Sequence, residues 1–191
     1  SQTEVWWFYP SGDSEENDRY VIYNYGENVW YYGELARTAW NDRSTGQRSY
    51  PQAASTDGFI YDHERGLDDG STDPASAITS FIQSSDFDTD DGDHFMLIRR
   101  IIPDITFEAS TAASPAVDFI MQSRDFSGSD YTESPSGEVI RSVTVPVEQY
   151  TNEIFLRARG RQMSLKVQSD TTGVRWRLGA PRLDARRDGR R

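Results

Sequence analysis

The sequence predicts an all-β fold, and three observations carry that reading. Short segments rich in Val, Ile, Tyr, Phe and Trp recur along the whole chain, which is the composition of strands. Clusters of Gly, Asn, Asp, Ser and Pro separate them, which is the composition of turns. No stretch holds a 3.6-residue apolar period over three turns, so no helix competes with the strand reading.

The segment Glu4-Val-Trp-Trp-Phe-Tyr9 is the first strand. Trp6 and Phe8 point one way and Trp7 and Tyr9 the other, because strand side chains alternate with period 2. Residues 10–18 form a polar loop. Residues 19–25 and 29–33 pair as a hairpin around Gly26-Glu27-Asn28. Leu35 to Trp40 is a shorter strand, followed by a loop to Ser49. A further hairpin joins 52–55 to 59–64 through Thr56-Asp57-Gly58. These strands are apolar on both faces, so both faces need covering, as in the blades of a β-propeller. Seventy residues make at most two blades of roughly 40 residues each, whereas a closed propeller needs four or more.

Residues 66–76 (Gly-Leu-Asp-Asp-Gly-Ser-Thr-Asp-Pro-Ala-Ser) lack hydrophobic periodicity and mark a domain boundary. The expected organisation is a blade-like hairpin region over 1–70, a linker at 71–76, a β-sandwich domain over 77–180 and an Arg-rich tail at 181–191. Within 77–180 the expected strands are 77–84, 95–102, 117–124, 138–147, 153–159, 163–169 and 174–178. Their alternation is cleaner: Met163, Leu165 and Val167 share one face, while Ser164, Lys166 and Gln168 share the other. One-sided burial over several short strands is the pattern of a sandwich or jelly roll.

Composition narrows the function classes. With no cysteine among 191 residues, disulfides and thiolate metal sites are excluded. No run of about 18 apolar residues is present to span a bilayer as a helix. The chain opens on Ser1 rather than Met, three residues before a strand, and the expectation is a fragment or processed product. The net charge of −11 is divided unevenly: residues 1–140 hold 26 acids against 8 Arg, and residues 141–191 hold 5 acids against 11 Arg and one Lys. An acidic front and a basic end suggest an assembly in which unlike surfaces meet. Arg outnumbers Lys 19 to 1, and Arg suits interfacial pairing because its planar fork meets carboxylates bidentately.

The strings Glu4-Val-Trp-Trp-Phe-Tyr-Pro-Ser11, Asn17-Asp-Arg-Tyr-Val-Ile-Tyr-Asn-Tyr25 and Val29-Trp-Tyr-Tyr-Gly33, followed by Ala36-Arg-Thr-Ala-Trp40, resemble the C-terminal part of tail-hub or nozzle proteins of short-tailed bacteriophages. These are also called packaged-DNA stabilisation proteins and are built around a β-propeller. Arg157-Ala-Arg-Gly-Arg-Gln-Met163, Gly173-Val-Arg-Trp-Arg-Leu-Gly-Ala-Pro-Arg-Leu-Asp184 and Asp188-Gly-Arg-Arg191 are similar to endings of such virion proteins. The acidic middle of the chain lies outside the resemblance, and members of that family are much longer. The resemblance implies a virion tail component below the portal and adaptor, in a homo-oligomeric ring of sixfold symmetry around the DNA exit channel. DNA would pass through without specific binding, and no membrane would be involved.

Asp86, Asp88, Asp90, Asp91 and Asp93 supply hard oxygens of the kind Ca²⁺ takes, but the EF-hand order is missing, so a solvated acidic loop is the reading taken. Asp68, Asp69 and Asp73 receive the same reading. His63 and His94 each neighbour an acid, Glu64 and Asp93, but no nucleophile elbow or phosphate loop surrounds them. The expectation is therefore no catalytic, cofactor-binding or metal-binding residues, no cofactor, and no enzyme. Trp30, Tyr31, Tyr32 and Trp40 are candidates for stacking on sugars, which makes a carbohydrate-binding host-recognition module the alternative; blade-to-blade packing is the simpler role. Arg182, Arg186, Arg187, Arg190 and Arg191 could meet phosphate, but subunit contact or a free tail is the reading taken.

Overall fold

A computed structural model describes residues 3–42, 49–89, 92–128 and 142–189. Among these residues every regular element is a strand, and all strand pairs are antiparallel. The fold is all-β. The chain divides into two compact units, Ser1–Gly66 and Leu67–Arg191.

The first unit holds two three-stranded meanders. Strands β1 (Glu4–Tyr9), β2 (Arg19–Asn24) and β3 (Val29–Glu34) form one sheet in chain order, and β4 (Ala39–Asn41), β5 (Gln52–Ala54) and β6 (Ile60–Asp62) form the other. The β2–β3 loop is held by Asn24, a buried side chain whose Oδ1 accepts the N–H groups of Gly26 and Glu27 at 3.1 Å each. The β5–β6 turn closes through Gly58 at φ +87°, a backbone conformation that glycine adopts without strain. Each sheet has three strands, one fewer than the four of a propeller blade. The strand expected from Leu35 begins only at Ala39. Before it, the chain is pinned to the loop ahead of β2, where Leu35 N–H donates to the Asp18 carbonyl and Arg37 N–H to that of Asn17.

The second unit is two sheets facing across one core. Strands β7 (Ser80–Gln83), β10 (Ala116–Arg124), β11 (Ser142–Glu148) and β13 (Gln162–Ser169) form a sheet of order β11-β10-β13-β7. Strands β8 (Met96–Ile102), β12 (Ile154–Gly160) and β15 (Arg182–Arg187) form a sheet of order β12-β8-β15, and β9 (Ile105–Thr106) pairs with β14 (Arg177–Leu178). The core is filled from both sheets: Val117, Phe119, Met121, Val147, Met163, Leu165 and Val167 on one side, Met96, Ile98, Ile101, Ile154 and Ala158 on the other. Burial alternates strictly along β10, as the one-sided sequence pattern requires.

Three boundaries differ from those expected. The segment placed as a linker belongs to the second unit: Asp69 and Ser76 exchange backbone hydrogen bonds at 2.9 and 3.0 Å, and the Asp68 carboxylate accepts the Gly173 N–H at 2.7 Å. The expected tail is also structured. Arg182–Arg187 is a strand because Leu183 turns inward onto Ile101 while its arginines stay in water. The expected strand at 174–178 pairs only over Arg177–Leu178. Of the strand expected at 138–147, residues 138–141 lie outside the described residues.

Candidate functional site: an open aromatic sheet face

Register assigns every side chain of the first sheet to a face, because directly paired residues point the same way. Ile22 pairs with both Trp6 and Tyr31, and Tyr20 with both Phe8 and Gly33, so these define one face. Tyr23 pairs with both Val5 and Trp30, Val21 with both Trp7 and Tyr32, and Arg19 with both Tyr9 and Glu34, which defines the other.

The first face is covered by the second sheet. Trp40 of β4 stacks on Trp6 with centroids 5.4 Å apart and lies 5.5 Å from Phe8, while Trp6 also stacks on Tyr20. Gly33 is required here, since a Cβ would meet the Tyr20 hydroxyl at 2.5 Å and its ring at 2.6 Å. Burial of Tyr20 in this stack pushes its phenol pKa up from the ordinary value, because the phenolate would lose its water. Behind Trp40, the His63 ring lies 4.8 Å away and its Nε2 accepts a 2.9 Å hydrogen bond from Arg37 Nε. Arg37 also lies 4.7 Å over the Tyr61 ring.

Among the described residues of its unit, none forms a sheet over the second face. Trp7 is 47% exposed, Trp30 60% and Tyr32 71%. The rings organise one another instead: Trp30 stacks on Tyr23 at 4.5 Å and on Trp7 at 5.9 Å, and the Tyr23 hydroxyl donates to Asn28 Oδ1 at 3.0 Å. At one end an Arg19–Glu34 ion pair of 2.5 Å closes the face, so no unpaired charge interrupts it. With Val5 and Tyr9, the exposed apolar area is on the order of 500 Å². A patch of that size matches the largest patch of a typical monomer, which is often functional.

The sequence candidates are distributed differently from their order in the chain. Trp30 and Tyr32 lie on the open face, Tyr31 lies on the opposite one, and Trp40 is held inside the stack. Trp7, Tyr9 and Tyr23 join Trp30 and Tyr32; pairing register, which alternation within single strands does not supply, brings them together. The acidic residues disperse. Asp86 is ion-paired with Arg124, Asp88 accepts from Gln162 Nε2 at 3.3 Å, and Asp68 caps Gly173. Asp69 accepts from the Ser71 N–H at 2.9 Å. Asp90 and Asp91 lie outside the described residues. Among the described residues no group of three or more His, Asp or Glu is placed to hold a metal ion. His63 and His94 belong to different units. Arg182, Arg186 and Arg187 lie on β15, and Arg190 and Arg191 lie outside the described residues.

No protein-family model matches this chain, and no curated protein shows significant similarity to it.

Proposed function

We propose that this chain is a structural, non-enzymatic component of a bacteriophage tail. In this reading it works in a homo-oligomeric ring, of six copies by the resemblance, around the DNA exit channel. There it retains and conducts the genome beside other tail and portal-adaptor proteins of the virion. The open aromatic face is the observation that carries the assembly reading: one face of the β1–β3 sheet is covered by a second sheet, and among the described residues no sheet covers its equally aromatic opposite face. Covering it with a like face would bury on the order of 1,000 Å² in total, the lower bound for a specific interface. The tail assignment rests on the resemblance of the strings around Trp6, Tyr23 and Trp30.

Electron microscopy of the full chain, and of the particles that contain it, tests the reading. Closed rings with the chain in the channel wall are expected, and a monodisperse monomer at every concentration would sink it.

A second reading is favoured by the same rings. Flat, exposed Trp and Tyr side chains stack on sugar faces, so a carbohydrate-binding host-recognition module is the alternative. On a glycan array, that reading requires binding that Trp30→Ala abolishes and Tyr31→Ala, on the opposite face, leaves intact.

A further inference from the structure

The β12-β8-β15 sheet turns one face to the core of its unit and the other outward. Register sets Phe155, Arg100 and Asp184 in one row across the three strands, and Arg159, the buried Leu97 and Arg186 in another. Ile98 and Ile101 are both fully buried with two residues between them, at an irregularity in the pairing with both neighbours. That bulge turns Arg99 outward together with Arg100. Alternation along β12 and β15 adds Arg157 beside Phe155 and Arg182 beside Asp184.

Three of these arginines hold carboxylates: Arg100 with Glu153 at 3.2 Å, Arg159 with Asp188 at 2.6 Å and Arg186 with Asp184 at 3.5 Å. Arg99, Arg157 and Arg182 are exposed and have no carboxylate partner among the described residues. Phe155, 71% exposed, lies among them. The sequence hid this arrangement, because its arginines come from three segments separated by more than 20 residues.

We infer that this arginine face docks a carboxylate-rich surface of a second copy of the chain. Charge complementarity selects that partner. The chain's first 140 residues hold 26 acids against 8 Arg, so a second copy presents the carboxylates that a guanidinium face pairs with. The ion pairs already formed on the face are Arg–carboxylate pairs, and the three guanidinium groups without a carboxylate partner among the described residues extend the same chemistry bidentately to a neighbour. Phe155 is covered in the same contact. The inference rests on the assembly reading and adds a second, chemically different contact to it. Salt screens this contact, whereas it leaves association through the aromatic face undiminished.

Sedimentation velocity of the full chain between 50 and 500 mM NaCl tests it, with the native protein and an Arg99→Gln, Arg157→Gln, Arg182→Gln variant. All three positions are exposed, so the fold is retained. Three exposed ion pairs of ordinary strength amount to about a tenfold effect. Native association is expected to weaken about tenfold as salt rises, and the variant at 50 mM to match the native protein at 500 mM. Association that salt leaves unchanged, or a variant that associates like the native protein at 50 mM, overturns this inference alone. A monomer under every condition overturns the assembly reading with it. Native protein that binds a labelled single-stranded oligonucleotide through these arginines, with no salt-dependent self-association, overturns it in favour of nucleic acid.

Discussion

In the second unit, two sheets turn apolar faces toward each other, and Phe119, Ile98 and Met163 are sealed between them. In the first unit, two sheets also stack, but the larger one is as aromatic on its outer face as on its inner. Trp6 and Trp7 are neighbours in sequence and nearly identical in chemistry, yet one lies in a ring stack and the other faces solvent. The difference teaches that apolar composition measures how much burial a strand needs, while the partner sheets decide how much it receives. A sandwich with one apolar face per sheet satisfies itself; a sheet with two needs a neighbour on each side.

Substitutions in the two units should separate these cases. Phe119→Ala in the sandwich core is expected to cost the most, about 3–5 kcal/mol, from lost transfer energy and the cavity left behind. Urea unfolding measures it, and a loss under about 1 kcal/mol would mean that the two sheets do not share that core. Trp6→Ala is expected to cost about 2 kcal/mol, less than a sealed aromatic because Trp6 is half-buried. Trp7→Ala on the same strand should change thermal stability by no more than about 0.5 kcal/mol while reducing self-association. Equal losses from the two would erase the distinction between covered and open faces.

Asp68→Ala removes the acceptor that holds the Gly173 N–H across 105 residues of sequence. About 1 kcal/mol is expected to go with it, and faster amide exchange at Gly173 would report the loss directly. An unchanged exchange rate would argue against the cap.

The smallest effects are electrostatic, at one half-buried and one exposed carboxylate of the first unit. The Ser11 hydroxyl, and then its N–H, hold the Asp18 pKa below the ordinary 3.8 by donating to the carboxylate at 2.7 and 2.6 Å. The Tyr61 hydroxyl, and then the Phe59 N–H, do the same for Asp57 at 2.7 and 3.0 Å. Groups whose pKa is depressed on folding contribute stability that is fully present above the unfolded value and is lost as pH falls through the folded one. Both contributions are therefore intact at neutral pH and fade only below about pH 4. Carboxyl NMR titration should show Tyr61→Phe returning Asp57 toward 3.8, and no movement would exclude the phenol as the cause.

The hairpins were legible because turn chemistry is local. Asn24 and Gly58 act within a few residues of themselves, and β1 forms where its alternating aromatics predict it, at Glu4–Tyr9. The alternation of Met163, Leu165 and Val167 likewise marks the face that enters the core. Less visible were β9 and β15, which are short or charged and exist because β14 and β8 offer them backbone partners. Leu183 is the one large apolar residue within β15, too weak a signal for a strand until Ile101 lies opposite it.

For the candidate surface, alternation along single strands separated Trp7 and Tyr9 from Trp6 and Phe8. It could not say that Trp30 and Tyr32 join Trp7 while Tyr31 does not, since that depends on how β3 is registered against β2. By itself the sequence determined the all-β class, the main hairpins, and an excess of aromatic surface near the start of the chain, all of which follow from side-chain period and turn residues. Only the tertiary structure decided which aromatic face is covered, that Asp68 and Arg182–Arg187 are tied into the second unit, and that arginines from three strands share one face. Those outcomes depend on long-range pairing, where a shift of one residue moves every side chain to the other face.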